Sequence, residues 1–130
     1  MFVEYFSVTK YCYMKQILSS RAAAIIYALS IAAFGIVHFM SADEMKTLLP
    51  DYLPGGVFWV YFTGVCLILA AIAIIINKQV RLACYLLAAM LLIFGFTLHL
   101  RPSLTTTFTL FLKDAAMAMA AILIANNSDN

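Results

Sequence analysis

Four long apolar runs, residues 22–39, 57–76, 82–100 and 105–125, constrain this chain more than any other feature of its sequence. Each is about the ~17–25 residues that cross a hydrocarbon core of roughly 30 Å as a helix. Lipid offers no hydrogen bonds, so a spanning backbone must satisfy itself as a helix or as a closed barrel. The runs show none of the apolar/polar alternation of barrel strands. The expectation is therefore an all-α integral membrane protein, a four-helix antiparallel bundle. Composition agrees: 65% of the 130 residues are hydrophobic and 11% charged, more apolar surface than a globule of this size can hide. A net charge of +2 is far from the basic stripe that a phosphate backbone requires, which excludes nucleic acid as a partner on composition. The partner implied is the lipid bilayer.

Between the runs the chain divides simply. Residues 1–13 read as an N-terminal extension, residues 14–126 as the transmembrane domain and residues 127–130 as a polar tail. Met14 opens a short basic lead, MKQILSSR, that would itself serve as a start. The first run is longer than the ~7–15-residue core of a secretory signal and lacks a small-x-small cleavage site, so it is read as a span. Lys10, Lys15, Arg21, Lys78 and Arg81 gather on one side of the membrane, and Lys46 with Arg101 on the other. This five-to-two excess places both termini in the cytoplasm. The one long connection, residues 41–56, then lies outside. Within it Ser41 and Glu44 have the spacing of a capping box, and Met45, Leu48 and Leu49 predict a short interfacial helix that stops before Pro50 and Pro54. Tyr52, Phe58, Trp59 and Tyr61 read as an aromatic belt anchored in the headgroups.

Polar side chains inside spans are costly and mark sites or structural pairs. Here they are His38, His99, Lys113 and Asp114. His38 lies about 25 Å along its helix from Arg21, and His99 about 27 Å from Arg81, at ~1.5 Å per residue. Both reach the outer end. Asp114, about 18 Å from the inner end by the same rise, falls in the same half. Helical phase turns three of them inward: Ala24, Ala28, Ile31, Gly35 and His38 share one stripe, Cys84, Ala88, Gly95 and His99 another, and Asp114, Ala118, Ala121 and Ala125 a third. Small residues mark faces where membrane helices approach closely. Lys113 stands about 100° round from Asp114, placed to snorkel outward or to close an ion pair. Asp114 is expected to pair more tightly with a histidine across the bundle than with its sequence neighbour. Two imidazoles, a carboxylate and an ammonium suit proton handling or a quinone headgroup, whose carbonyls need a donor and whose reduction needs protons. The competing reading is structural: the same groups bonding one another and holding the bundle. A metal is not expected, because no HxxxH or CxxC spacing concentrates ligands. Cys12, Cys66 and Cys84 are an odd number without a vicinal pair and read as small core residues.

Four stretches carry a family resemblance: G-I-V-H-F-M at 35–40, L-L-P-D-Y-L-P at 48–54, V-Y-F-T-G-V at 60–65 and L-K-D-A-A at 112–116. In this order, on these helices, they resemble the DoxX-like family of small four-helix bacterial membrane proteins. The resemblance implies an inner-membrane bundle associated with redox complexes, among them thiosulfate:quinone oxidoreductase. The family's Gly-x-x-His-Phe falls on Gly35, His38 and Phe39, its loop prolines on Pro50 and Pro54, and its Leu-Lys-Asp on Leu112, Lys113 and Asp114. Where many relatives read Gly-Val-x-Glu, this chain has Gly64, Val65, Cys66 and Leu67, so the second-helix carboxylate is missing. Two functions are therefore expected to compete. One is a small membrane component of a quinone-linked or other redox system; the other is a non-catalytic assembly or stabilising subunit, held to other membrane redox subunits or to itself.

The charge asymmetry has its own test. Cysteine labelling from outside intact cells is expected to reach a thiol placed at Asp43 and not one at Lys78. Labelling at position 78 would reverse the orientation.

Overall fold

The apolar runs form helices, and this computed structural model describes residues 1, 3–4, 19–49, 51–99 and 105–129, with backbone alone at 98, 99 and 105–107. Met14, most of the N-terminal extension, Pro50, Arg101, Pro102 and Ser103 lie outside the described residues. Among the described residues there is no strand. The spanning helices are α1 (Ser20–Met40), α3 (Val57–Ile76), α4 (Val80–His99) and α5 (Thr105–Asn126), with a one-turn α2 (Ala42–Met45) between the first two. All four long helices are apolar enough to cross a membrane. The fold is the expected all-α four-helix bundle, with the short helix in its first loop.

Local chemistry sets the ends. Ser19 caps α1, its hydroxyl accepting from the Ala22 N–H at 3.1 Å, which satisfies one of the orphan donors of the first turn. At the other end the Ser41 N–H still donates to the Val37 carbonyl at 2.9 Å. The expected capping box on α2 does not form: the Ser41 side chain makes no capping bond. One residue closes α1 and opens α2, and its backbone (φ −115°, ψ 29°) follows from the first task. After α2 a 3₁₀ turn, Lys46–Leu48, runs into an extended Leu49 (φ −76°, ψ 143°). Extended backbone is what the ring of a following proline imposes. Gly55 and Gly56, at φ 101° and 37°, make the left-handed turn into α3 that side chains resist. At the far end of α3, Asn77 is left-handed (φ 57°) and its N–H reaches the Ala73 and Ile74 carbonyls. Arg21 of α1 completes that end, its guanidinium donating to the Ile74 and Ile75 carbonyls at 2.7 and 2.6 Å. A cation there also meets the negative end of the helix dipole.

Helix α1 packs along α3 and α4 along α5, while α3 against α4 joins the two pairs. The predicted small stripes are the contact faces: Ala24, Ala28, Ile31 and Gly35 on α1, Cys84 and Ala88 on α4, and Ala118, Ala121 and Ala125 on α5 are all buried. Large side chains such as Leu29, Leu69, Leu86, Ile93 and Leu123 are exposed instead. That inverts the soluble pattern, and hydrocarbon is the solvent it fits. Two tyrosines tie α5 to its neighbours. Tyr27 of α1 donates to the Met117 carbonyl at 2.6 Å, and Tyr85 of α4 to Asn126 Oδ1 at 2.6 Å.

The closest approach is at Gly35 and Gly64. A methyl on Gly35 would lie 2.7 Å from Ile68 Cγ1 and 3.0 Å from the Gly64 carbonyl oxygen; one on Gly64 would lie 3.1 Å from His38 Cβ and 3.2 Å from the Gly35 carbonyl. Each glycine faces the other's backbone, which cannot give as a side chain can. Gly35→Ala and Gly64→Ala are therefore expected to lower stability by about 1–3 kcal/mol through forced separation of α1 and α3. Thermal unfolding in detergent checks this beside Ser30→Ala, an exposed position on α1 where little change is expected.

Candidate functional site

The bundle is tight where its stripes are alanine and opens toward the end that carries residues 41–56. There a partly open cavity of about 170 Å³ is lined by Phe34 and His38 of α1, Trp59, Val60, Thr63 and Leu67 of α3, Leu91 and Phe94 of α4, and Leu110, Lys113, Asp114 and Met117 of α5. Met45, Leu48 and Leu49, from α2 and the 3₁₀ turn, complete the wall. The apolar face of that segment is thus spent on the bundle as well as on the membrane interface.

His38 and Asp114, expected inside from depth and phase, and Lys113, expected at the same depth but off that phase, share this one cavity. His38 reaches it because the Gly35/Gly64 contact brings α1 onto α3, with His38 Cβ directly over Gly64. Its Nδ1 lies 2.7 Å from the Phe34 carbonyl oxygen, one turn back. Asp114 continues the alanine stripe of α5 and lies beside Gly95 of α4, whose missing side chain leaves room for the Phe111 ring. The backbone of His99 falls in α4 as expected; its side chain lies outside the described residues.

Of the two histidines expected to pair with Asp114, His38 is not its ion-pair partner, and the side chain of His99 lies outside the described residues. Among the described residues the ion pair of Asp114 is with its neighbour Lys113, Nζ to Oδ1 at 3.4 Å. The two positions do point to different faces, but the four-carbon lysine stem spans the gap. It also lays its ammonium 4.8 Å from the centroid of the Phe34 ring, an electrostatically favourable seat. His38, meanwhile, is held to its own helix. The carboxylate is the more enclosed partner, its side chain 14% exposed against 43% for the lysine.

The aromatic residues divide. Tyr52, Phe58 and Tyr61 are exposed, as a belt requires. Trp59 instead lines the cavity and donates from Nε1 to the Pro54 carbonyl at 2.8 Å. That bond gives Pro54 a role that its position alone did not announce: its carbonyl fixes the indole. Phe39 lies tilted against Tyr61, ring centroids 5.6 Å apart, and touches the Gly64 position, so Gly35, Phe39 and Gly64 together form the α1/α3 joint. Phe34, Trp59, Thr63 and Leu67 are cavity residues that the sequence did not single out. The i, i+4 spacing of Trp59, Thr63 and Leu67 was the signal for one α3 face. Cys84 is a buried core thiol and Cys66 is half-buried. Among the described residues no cluster of three or more His, Cys, Asp or Glu is placed to hold a metal ion.

Fold and cavity together define a small multi-pass membrane protein with a mostly apolar chamber, bearing a few polar groups, in one half of its bundle. The family model described as "Domain of unknown function (DUF8561)" matches residues 27–106, and the chain belongs to that family. The match runs from Tyr27 on α1 through α3 and α4 and so takes in Gly35, His38, Trp59 and Gly64, but stops short of Lys113 and Asp114. No curated protein and no solved structure matches the chain.

The unequal exposure of the ion pair gives a prediction. Lys113→Met leaves an enclosed carboxylate without its cation and is expected to cost about 1–3 kcal/mol. Asp114→Asn leaves a lysine long enough to reach headgroups and is expected to cost less. Detergent melting of the two variants beside the parent protein checks the order, and a reversed order would mean that Asp114 is solvated.

Proposed function

We propose that this protein is a DoxX-like membrane component of a quinone-linked or related redox system, and that its chamber receives a ring-bearing headgroup. The single observation that carries the reading is the chamber itself: about 170 Å³, apolar over most of its wall, with His38, Lys113 and Asp114 on one part of it. An apolar protein cavity of roughly 150 Å³ holds one benzene ring, so this volume suits a single six-membered ring. A cavity with a few convergent polar groups is the usual form of a small-molecule site. Lys113 is the group able to donate to a ring carbonyl, and His38 and Asp114 are the groups able to exchange protons with it. With the charge asymmetry of the loops, the chamber falls in the outer leaflet of a bacterial inner membrane, both termini cytoplasmic.

A second reading has its own support. Open grooves of about 710 Å³ between α3 and α4 and about 580 Å³ between α1 and α5 run along the bundle sides. Either would seat a further helix, from another redox subunit or a second copy, and the protein would then assemble or stabilise rather than react.

One preparation separates the two. The protein, purified into lipid nanodiscs, is expected to carry extractable quinone or to bind a short-tailed benzoquinone analogue. Lys113→Met is expected to weaken binding of the oxidised analogue, and His38→Ala binding of its reduced, hydroxyl-bearing form, about fivefold or more, the loss of one buried hydrogen bond; His99→Ala is measured alongside. A colourless, quinone-free preparation that binds no analogue, and runs as a defined oligomer or with a stoichiometric partner, would replace the first reading with the second.

A further inference from the structure

The hydrogen-bonding capacity left over on the chamber wall is lopsided. Trp59 Nε1–H is given to the Pro54 carbonyl and the Thr63 hydroxyl donates to the Trp59 carbonyl at 2.8 Å. The Lys113 ammonium is turned to Asp114 and the Phe34 ring. The two neutral donors are committed, and the ammonium shares its hydrogens with Asp114, while the His38 ring keeps an acceptor. A carbonyl oxygen cannot donate, so the 2.7 Å contact with Phe34 puts the hydrogen of the neutral His38 ring on Nδ1. Nε2 is then a lone-pair acceptor. It has no protein partner among the described residues, and no described side-chain nitrogen or oxygen is sealed away without one. Nε2 is therefore open, on a residue that lines the cavity.

We infer that the chamber selects a neutral, single-ring compound bearing a hydroxyl, a phenol-class ligand whose O–H is received by His38 Nε2. The inference rests on the reading of the chamber as a ligand site and narrows it: of a redox ring's two forms, the dihydroxy form belongs to this class and the dione does not. Size sets the ring and the wall sets the hydroxyl. About 170 Å³ is room for one six-membered ring. A buried acceptor facing an ether or a methyl group loses its bond and its water together, which is how such sites reject analogues that lack the donor.

The chain supplies its own reporter. Trp59 is its single tryptophan and lines the cavity, so indole emission, excited on the red edge where phenols do not absorb, reads occupancy. The parent protein in nanodiscs is titrated with phenol, anisole and toluene, corrected for partition into empty nanodiscs. Phenol is expected to bind about tenfold tighter than either isostere. In His38→Leu the three are expected to converge to within about twofold while toluene binding persists. Equal binding of the three to the parent would overturn hydroxyl selection yet leave the chamber a ligand site. Binding of none would remove both. A folded His38→Leu that keeps the phenol preference would overturn the assignment to His38; if that variant does not fold, the ratio of phenol to anisole on the parent decides alone.

Discussion

Hydrocarbon gives helices nothing for burying apolar surface, because lipid tails are as apolar as leucine, so what holds this bundle together is how closely its backbones can come. Everything else follows from where the sequence permits that. Alanine at 24 and 28 on α1, 88 on α4, and 118, 121 and 125 on α5 draws the helices together at the Arg21 end. Glycine at 35 and 64 does the same for α1 and α3 farther along, to the point where each backbone carbonyl touches the other glycine. The same solvent explains why the ends are tied so fully. Arg21 on the last carbonyls of α3, Asn77 in its left-handed turn and Ser19 on α1 satisfy groups that water would otherwise satisfy.

The cavity is the other side of that rule. Beyond the alanines the facing residues become Phe34, Trp59, Phe94, Leu110 and Met117, too large to let the helices converge and too few to fill the gap they open. The space is then closed from its end by Met45, Leu48 and Leu49. A taper from small to large residues along four helices is thus enough to place a chamber in one half of the bundle. The polar groups are there because the stripes that pack the narrow half continue, at the same phase, into the wide half: His38 follows Gly35, and Asp114 precedes Ala118.

That continuity is why much of the site was legible in the sequence. Run length located the spans to within a turn, and the small-residue phase pointed His38 and Asp114 inward without knowledge of any contact. Side-chain reach was not legible. Lys113 was read as facing another way from Asp114, and so it does at Cβ, yet its stem carries the ammonium back to 3.4 Å. Trp59 was grouped with Tyr52, Phe58 and Tyr61 because all are aromatic and near an interface. Only the turn of α3 onto α1, and the Pro54 carbonyl that fixes its ring, separates it from them. Ser41 had the spacing of a cap, but α1 had already taken its backbone. In each case a local pattern met a competitor from another part of the chain.

A polar cluster in a membrane also has to be tolerated when the chamber is empty, and the pairing on α5 shows how. Lys113 and Asp114 are adjacent, so they enter the bilayer as a neutral unit and need no partner from another helix to be assembled first. The Phe34 face supports the cation on the side away from its counter-ion. His38 likewise spends one nitrogen on its own helix. Neither the Lys113–Asp114 pair nor His38 depends on the other for its first hydrogen bond or charge partner. The second imidazole nitrogen has no protein partner among the described residues. Tyr27 closes across the helices on the Met117 carbonyl; this cluster takes its hydrogen bond and charge partner locally and reaches across through the Lys113 ammonium on Phe34.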